Sequence, residues 1–222
     1  MKILTFDTSL DKTYITLCED EKIIESKTIK STDEKYHSAF LMPAIVDILK
    51  KQDMFMDDIE VIGTNIGPGS FTGIRVCTTI SRVFAQQLNA KLVGISSMQI
   101  LSKINNTDKN SLVLMDARKN KVYCAIYSPA GEIIQEPSSI EKELILDLAK
   151  ENYFIITDSS IHNYLTENSI TSTNYEDGEY DLGKFLAYFT HKSVENSNED
   201  FHWAKVKPLY IQPPSISKPK AV

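Results

Sequence analysis

The sequence predicts an α/β protein made of two related lobes, each a mixed sheet flanked by helices. Apolar, β-prone runs and helical patterns follow the order β-β-β-α-β-α-β over residues 3–96. A meander joined to crossover connections favours a mixed sheet over a sandwich. The second half repeats the opening after a shift of 109 residues, weakly in identity but consistently in pattern. The pairs that this shift matches are Ile3 with Leu112, Asp7 with Asp116, Tyr14 with Tyr123 and Ile24 with Ile133.

Hydrophobic periodicity assigns the elements of the first lobe. The predicted strands are 3–6, 14–18, 22–26, 59–65 and 92–96. Helices are predicted over 36–51 and 74–88, where apolar residues recur at helical spacing. Pro43 is expected either to kink the first helix or to mark its true first turn. The buried face of the second helix is predicted to consist of Ile74, Cys77, Ile80, Phe84 and Leu88.

The second lobe is predicted to be a smaller and poorer copy of the first. Its predicted strands are 112–116, 122–127, 132–135 and 153–157, and its helices are about 139–150, 159–166 and 181–191. A polar stretch without periodicity at 105–110 places the boundary between the lobes. The segment 206–214 is expected to return to the first lobe, with 208–212 as an edge strand. The expected parts are therefore a first lobe of 1–107, a second lobe of 108–205 and a flexible tail of 215–222.

Composition and charge restrict the partners that the chain could bind directly. The chain has 24 basic and 30 acidic residues, which gives a net charge of -6. A negatively charged protein does not attract the phosphate backbone of a nucleic acid. Any RNA is therefore expected to be held through a partner. The three cysteines, Cys18, Cys77 and Cys124, form no C-x-x-C pair and are interpreted as reduced core residues. No secretory signal or membrane span is expected, which favours a cytoplasmic protein.

The glycine-rich stretch GPGSFTG between a strand and a helix has two interpretations. Its backbone could approach an anion or a nucleotide closely, with N–H groups of the helix start available to the ligand. It matches neither the P-loop nor the dinucleotide fingerprint. The alternative is a structural turn capped by Ser70 or Thr72. The candidate loop residues are Gly67, Pro68, Gly69, Ser70, Phe71, Thr72 and Gly73.

Two aspartates that end equivalent strands, Asp7 and Asp116, support an alternative function. If the lobes are related by pseudo-symmetry, these carboxylates face each other across a cleft and could hold Mg²⁺ for an ATPase or phosphotransferase. Thr8 and Ser9 follow Asp7, however, where phosphate binding needs glycine. These positions are therefore interpreted as degenerate phosphate motifs. Asp116 with Arg118 is alternatively a local ion pair.

No metal or nucleophile site is predicted. The 4 histidines occupy unrelated positions, and a lone histidine without a second ligand is usually structural. None of Ser9, Ser38 and Ser70 lies in a G-x-S-x-G string. A hydrolase is therefore not expected.

Five strings in order and spacing resemble the TsaB (YeaZ) family of tRNA threonylcarbamoyladenosine biosynthesis proteins. They are ILTFDTS at 3–9, HSAFLMPAI at 37–45, GPGSFTGIRV at 67–76, MDARKNKVY at 115–123 and PLYIQPP at 208–214. The resemblance implies the actin-like (ASKHA, RNase H-like) fold. It also implies a non-catalytic scaffold and activator of TsaD, beside the ATPase TsaE, in modifying adenosine 37 of tRNAs that read codons beginning with A. TsaD-like histidine ligands are absent, since Ser96, Ser97 and Met98 fill their place.

The resemblance further implies how the partner binds. TsaD is expected to contact the first two helices, and ATP or ADP could lie at that interface, with no intrinsic cofactor. The free chain could also form a homodimer through the same face. The implied partner-binding residues are Tyr36, His37, Phe40, Met42, Pro43, Val46, Arg75, Val76, Thr79 and Val83. Cys77, where the family typically carries glycine, is a departure that affects helix packing.

Two further functions remain as alternatives. The glycoprotease activity attached to this superfamily would need a metal or a nucleophile that the sequence does not offer. An interaction module unrelated to tRNA could use the same exposed helical face.

Overall fold

The computed structural model describes residues 1–10, 12–30, 37–197 and 199–212, with side chains in the first helix from Phe40 onward. Its first half contains eight principal elements. They are β1 (Lys2–Asp7), β2 (Lys12–Glu19), β3 (Lys22–Lys30), α1 (His37–Lys51), β4 (Val61–Asn65), α2 (Phe71–Leu88), β5 (Lys91–Ile95) and α3 (Ser97–Ser102). A 3₁₀ turn at Met56–Asp58 precedes β4.

The second half follows the same order of strands and helices. Its elements are β6 (Ser111–Asp116), β7 (Lys121–Tyr127), β8 (Ile133–Glu141), α4 (Ile145–Leu148), β9 (Phe154–Thr157), α5 (Ser159–Glu167), β10 (Thr173–Asn174) and α6 (Leu182–Asn196). Two 3₁₀ turns lie at Lys142–Leu144 and Trp203–Lys205.

The strands form two five-stranded mixed sheets with matching topology. The first has the order β3-β2-β1-β4-β5 and the second the order β10-β9-β6-β7-β8. In each, a three-stranded antiparallel meander is extended by parallel pairing, of β1 with β4 and of β6 with β9. Two mixed sheets flanked by helices confirm the predicted fold class.

The helices and sheets alternate in layers. Helices α1 and α2 cover the outer face of the first sheet, where the core includes Leu4, Phe6 and Ile62. Helix α5 packs on the second sheet, and α4 contributes Ile145 to the core on its outer face. Between the sheets lies a third core, to which both sheets, α3 and α6 contribute. The two halves therefore share a continuous interior.

Helix α6 packs on the sheet of the other half. It falls inside the predicted second lobe of 108–205, yet it contacts β1, β2, β4 and β5 of the first sheet. Its side chains Leu182, Leu186 and Phe189 are buried against that inner face. Helix α3, in turn, packs on β6 of the second sheet. The third helix of each half thus covers the sheet of the opposite half, which a division of the chain by sequence position does not capture.

Several predicted elements differ from the structure. The helix expected over 139–150 is mostly absent, because β8 continues to Glu141 and only Ile145–Leu148 is α-helical there. Pro137 lies where β8 shifts register against β7, at the edge of the sheet, which is where a strand tolerates proline. Helix α3 was not predicted. Pro43 lies inside α1, so it does not mark the first turn.

The C-terminal segment touches both halves without forming a strand within 206–212. The Leu209 N–H donates to the Ile66 carbonyl (2.8 Å), and Gln212 Nε2 donates to Ser139 Oγ (2.9 Å). The edge strand predicted at 208–212 is therefore wrong, although the segment does return to the first half. Residues 213–222, including the predicted tail, lie outside the described residues. In the described part of the chain, every helix is too short or too polar to cross a membrane.

Candidate functional site

The carboxylate of Asp7 is buried at the end of β1 and is held by protein donors. It is 1% exposed. Its Oδ1 accepts hydrogen bonds from the N–H and the Oγ of Ser9, both at 2.6 Å, and its Oδ2 accepts from Asn65 Nδ2 at 2.8 Å. Asn65 Oδ1 in turn accepts from Ser97 Oγ (2.9 Å) and from the Gly67 N–H (2.8 Å). One polar network thus ties together the ends of β1 and β4 and the start of α3.

The glycine-rich loop packs directly on the turn that follows Asp7. The Ser70 N–H donates to the Ser9 carbonyl at 2.7 Å, and Thr8 Oγ1 donates to the Gly73 carbonyl at 2.8 Å. A Cβ atom on Gly73 would lie 1.9 Å from the Thr8 carbonyl oxygen, and one on Gly69 would lie 2.4 Å from that of Ser9. These glycines therefore permit backbone-to-backbone contact within the protein.

Ser70 caps helix α2. Its Oγ accepts a hydrogen bond from the Gly73 N–H at 3.2 Å, whereas Thr72 is exposed. Of the two interpretations of the loop, this geometry matches the structural turn capped by Ser70. Nucleotide binding at the loop stays a prediction.

Asp116 occupies a different setting from Asp7. It pairs across the sheet with Val122, whose side chain lies in the outer core of the second sheet, while Asp7 pairs with Tyr14 of the inner core. Asp116 is exposed, and its Oδ1 accepts from the Arg118 N–H at 2.9 Å. The carboxylate pair that pseudo-symmetry predicted is therefore not formed in the structure, because the 109-residue shift matches chain positions but exchanges the two faces.

The turn after Asp116 is strained. Arg118, Lys119 and Asn120 all have left-handed backbone conformations, with φ of 60°, 51° and 61°. That conformation costs about 1–2 kcal/mol for residues such as Arg118 and Lys119, whereas asparagine adopts it more readily. The neighbouring Asp158 accepts the Asp116 N–H at 2.5 Å and caps α5, and burial raises the pKa of its carboxyl. In the second half, Asp158 and Asp116 therefore lie together at the ends of β9 and β6.

Apolar side chains are exposed on α1 and α2, which contact each other on the outer face of the first sheet. On α1, Phe40, Met42 and Val46 are 48%, 41% and 58% exposed, and Pro43 is exposed beside them. On α2, one row of exposed positions runs along the helix at four-residue intervals. It consists of Phe71, Arg75, Thr79 and Val83.

Three predicted partner-binding residues need separate mention. Val76 is half-buried and packs against the core of the first sheet, so it contributes less to the exposed face than Val83 does, and its role in partner binding stays a prediction. Tyr36 lies outside the described residues. His37 is the first residue of α1, but its side chain also lies outside the described part.

At one end of this face an arginine stacks on one aromatic ring and donates a hydrogen bond to another. The guanidinium of Arg75 lies 3.8 Å from the centre of the Phe71 ring, and its Nε donates to the Tyr210 hydroxyl at 3.0 Å. The Phe71 and Tyr210 ring centres are 5.5 Å apart. Tyr210 was not predicted as a site residue, although it belongs to the PLYIQPP string that carries part of the resemblance.

The cysteines are unsuited to nucleophilic chemistry. Cys18, Cys77 and Cys124 are free and buried. Burial raises the pKa of Cys18 to about 12 and the pKa values of Cys77 and Cys124 to about 11, so the thiols stay protonated near neutral pH. Cys77 Sγ donates to the Asn65 carbonyl at 3.2 Å, which fastens α2 to the end of β4.

Comparisons with known proteins agree with this geometry. A family profile described as "TsaD: tRNA N6-adenosine threonylcarbamoyltransferase" matches residues 23–159. A Bacillus subtilis (strain 168) protein named "tRNA threonylcarbamoyladenosine biosynthesis protein TsaB" is 27% identical over 184 residues, or 79% of each chain. A Buchnera aphidicola protein of the same name is 27% identical over 225 residues, covering 94% of this chain and 97% of its own. The structure of YeaZ from Pseudomonas aeruginosa superposes with a TM-score of 0.78 at 17% identity, covering 94% and 99% of the two chains.

Proposed function

This chain belongs to the TsaB (YeaZ) family, and from that premise we propose that it acts in tRNA threonylcarbamoyladenosine biosynthesis as a non-catalytic partner subunit. In this proposal it binds and activates a TsaD-type transferase. That enzyme then modifies adenosine 37 of tRNAs reading codons that begin with A. The observation that carries the proposal is the exposed apolar face on α1 and α2, beside a polar centre that the protein's own groups fill.

The closed polar centre supports a non-catalytic role. A carboxylate that positions Mg²⁺ and phosphate needs lone pairs directed at the ligand. Here Ser9 and Asn65 donate to both oxygens of Asp7, and the glycine loop lies on the adjoining turn. The same observation disfavours the alternative of a small Mg²⁺-dependent ATPase or phosphotransferase that uses Asp7 and Asp116.

The helical face supports a protein partner. Phe40, Met42 and Val46 on α1 together with Val83 on α2 place large apolar groups in solvent. Side chains of this kind, rimmed by polar residues, mark protein interfaces. The same face could pair two copies of the chain before TsaD binds.

The remaining partners follow from charge and from the family. A net charge of -6 leaves tRNA to be held by the complex. In this proposal TsaE is the ATPase of the complex, and ATP or ADP binds at the interface between this chain and TsaD. The complex acts in the cytoplasm.

The role is tested by measuring threonylcarbamoyladenosine on tRNA by mass spectrometry. The mixture contains TsaD, TsaE and the synthase that supplies the activated threonylcarbamoyl group, with or without this chain. We expect modification to require the chain and to survive in the Asp7→Asn and Asp116→Asn variants, provided that circular dichroism shows them folded. Loss of modification by a folded variant that still binds TsaD would indicate catalysis or nucleotide binding instead.

The interface is tested by one substitution and a matched control. Val83→Asp places a charge at a position that is 50% exposed, and Ile134→Asp does the same on β8 at a position that is 55% exposed. Because the first lies on the proposed face and the second does not, we expect Val83→Asp alone to weaken TsaD binding by tenfold or more, measured by calorimetry. Equal affinities for TsaD would contradict the helix assignment.

A further inference from the structure

We propose that Glu21, His191 and Glu195 form a binding site for a divalent transition-metal ion of the Zn²⁺ class. One potential ligand atom from each residue lies within 4.8 Å of those of the other two. The sequence placed the histidines at unrelated positions and predicted no metal site. The fold brings His191 of α6 beside the turn between β2 and β3, because α6 packs on the inner face of the first sheet.

The three side chains project from two well-defined elements. His191 and Glu195 are four residues apart on α6 and so lie on the same side of the helix. His191 Nδ1 is 3.8 Å from Glu195 Oε2. Glu21 lies in the two-residue turn that Glu19 and Lys22 close by pairing across the hairpin. The site therefore joins a hairpin to the helix that packs beneath it.

His191 is a buried polar side chain whose ring lacks a hydrogen bond. The residue is only 8% exposed, and no hydrogen bond to its ring is found among the described residues. Its nearest acceptor, Glu195 at 3.8 Å, is beyond hydrogen-bond distance. Its ring nitrogens reach the solvent of the adjacent cleft, since Thr64 Oγ1 is the one fully buried side-chain polar atom without a partner among the described residues. A cation bound between this ring and the two carboxylates would take the place of that solvent.

The surrounding charge favours a cation. A cleft of about 660 Å³ is lined by Glu19, Asp20, Glu21, Lys22, His191 and Glu195. Carboxylates outnumber ammonium groups in that lining, and a cleft of one sign concentrates counter-ions. Asp20 Oδ1 is bound to the amino group of Met1 at 3.0 Å, so Asp20 is not counted as a ligand.

The donor set selects the class of metal. One imidazole nitrogen with carboxylate oxygens suits Zn²⁺, whereas Mg²⁺ and Ca²⁺ prefer oxygen ligands alone. Three protein ligands leave room for water in the fourth position. Bonds of about 2.0–2.2 Å require the carboxylates to move inward. The Glu195 side chain, 62% exposed, is free to do so.

The test is a calorimetric titration of the full chain with Zn²⁺ in the presence of a reducing agent. We expect one ion per chain, and at least tenfold weaker binding in each of Glu21→Gln, His191→Gln and Glu195→Gln, since even outer contacts of a metal ligand change affinity by 10–100-fold. Glu179→Gln, at an exposed glutamate outside the cluster, is the matched control and should bind as the wild type does. Bound Zn²⁺ should also raise the melting temperature of the wild type, because it binds the folded state.

Two results would overturn the proposal. Glu21 and Glu195 are exposed, so Glu21→Gln and Glu195→Gln should not disturb folding. If both variants bind Zn²⁺ with unchanged affinity, the ion binds adventitiously elsewhere. Displacement of Zn²⁺ by equimolar Mg²⁺ would contradict the assigned metal class. The titration needs neither TsaD nor tRNA, so its outcome is independent of the proposed function.

Discussion

At the scale of single residues, the glycine-rich loop shows how one string of sequence can serve either a ligand or the protein itself. Gly69 and Gly73 pack against the carbonyl oxygens of Ser9 and Thr8. A Cβ atom at either glycine would overlap with the carbonyl oxygen that it faces. The absence of a Cβ is therefore required by the fold, whether or not a nucleotide ever binds nearby. Close packing of the backbone therefore accounts for the glycines of this loop, although the loop lacks the lysine that follows the glycines in a P-loop.

Gly73→Ala tests this explanation. The added Cβ would lie 1.9 Å from the Thr8 carbonyl, so the loop and the turn must separate, and we expect a loss of about 2–3 kcal/mol in unfolding free energy. Denaturant unfolding measures it. Thr72→Ala, at an exposed neighbour, should change stability by less than about 0.5 kcal/mol. If Gly73→Ala is equally neutral, the loop is open enough to receive a ligand.

At the scale of elements, helix α2 divides into three faces. Ile74, Cys77 and Ala85 are buried on the first sheet. Val76 is half-buried at the flank of that core, whereas Val83 is half-exposed. Two valines on one helix therefore have different roles: the first stabilises the fold, and the second is available to a partner.

The two valines can be compared directly. We expect Val76→Ala to lower the unfolding free energy by about 1 kcal/mol, because it removes packed apolar area. Val83→Ala should leave stability within about 0.5 kcal/mol of the wild type. Paired denaturation curves measure both. A larger loss for Val83→Ala would mean that it belongs to the core and that the proposed partner face is smaller.

At the scale of the whole molecule, the two halves depend on each other. The inner core draws Ile3, Tyr14 and Val93 from the first sheet, Val113 and Tyr127 from the second, and Leu186 from α6. Removing either half would expose the inner face of the other sheet. The molecule is therefore expected to unfold as one unit.

Unfolding followed by two probes tests this expectation. Trp203, the only tryptophan, packs against the outer core of the first sheet, while far-ultraviolet circular dichroism reports on both sheets. The two transitions should coincide. Leu186→Ala should shift both together by about 2–5 kcal/mol, and Lys184→Ala, exposed on the same helix, should shift neither appreciably. Separate transitions would show independent lobes.

The sequence by itself determined the local order of the chain. Apolar, β-prone runs indicate β1, β2, β6 and β7, and helical spacing indicates α1, α2 and α5, because hydrophobic patterning is a local property. The duplication is visible for the same reason, since Asp7 and Asp116 end equivalent strands. The loop at 67–73 and the exposed face of α1 could also be found from residue types alone.

Only the tertiary structure decided which face and which neighbour each element received. The opposite faces of Asp7 and Asp116, the packing of α6 on the first sheet and the meeting of His191 with Glu21 all depend on contacts between distant segments. The continuation of β8 to Glu141 depends on pairing with β7, which overrides the helical pattern of its own residues. Such outcomes follow from the burial of apolar faces against one another, and no window of the sequence contains both partners.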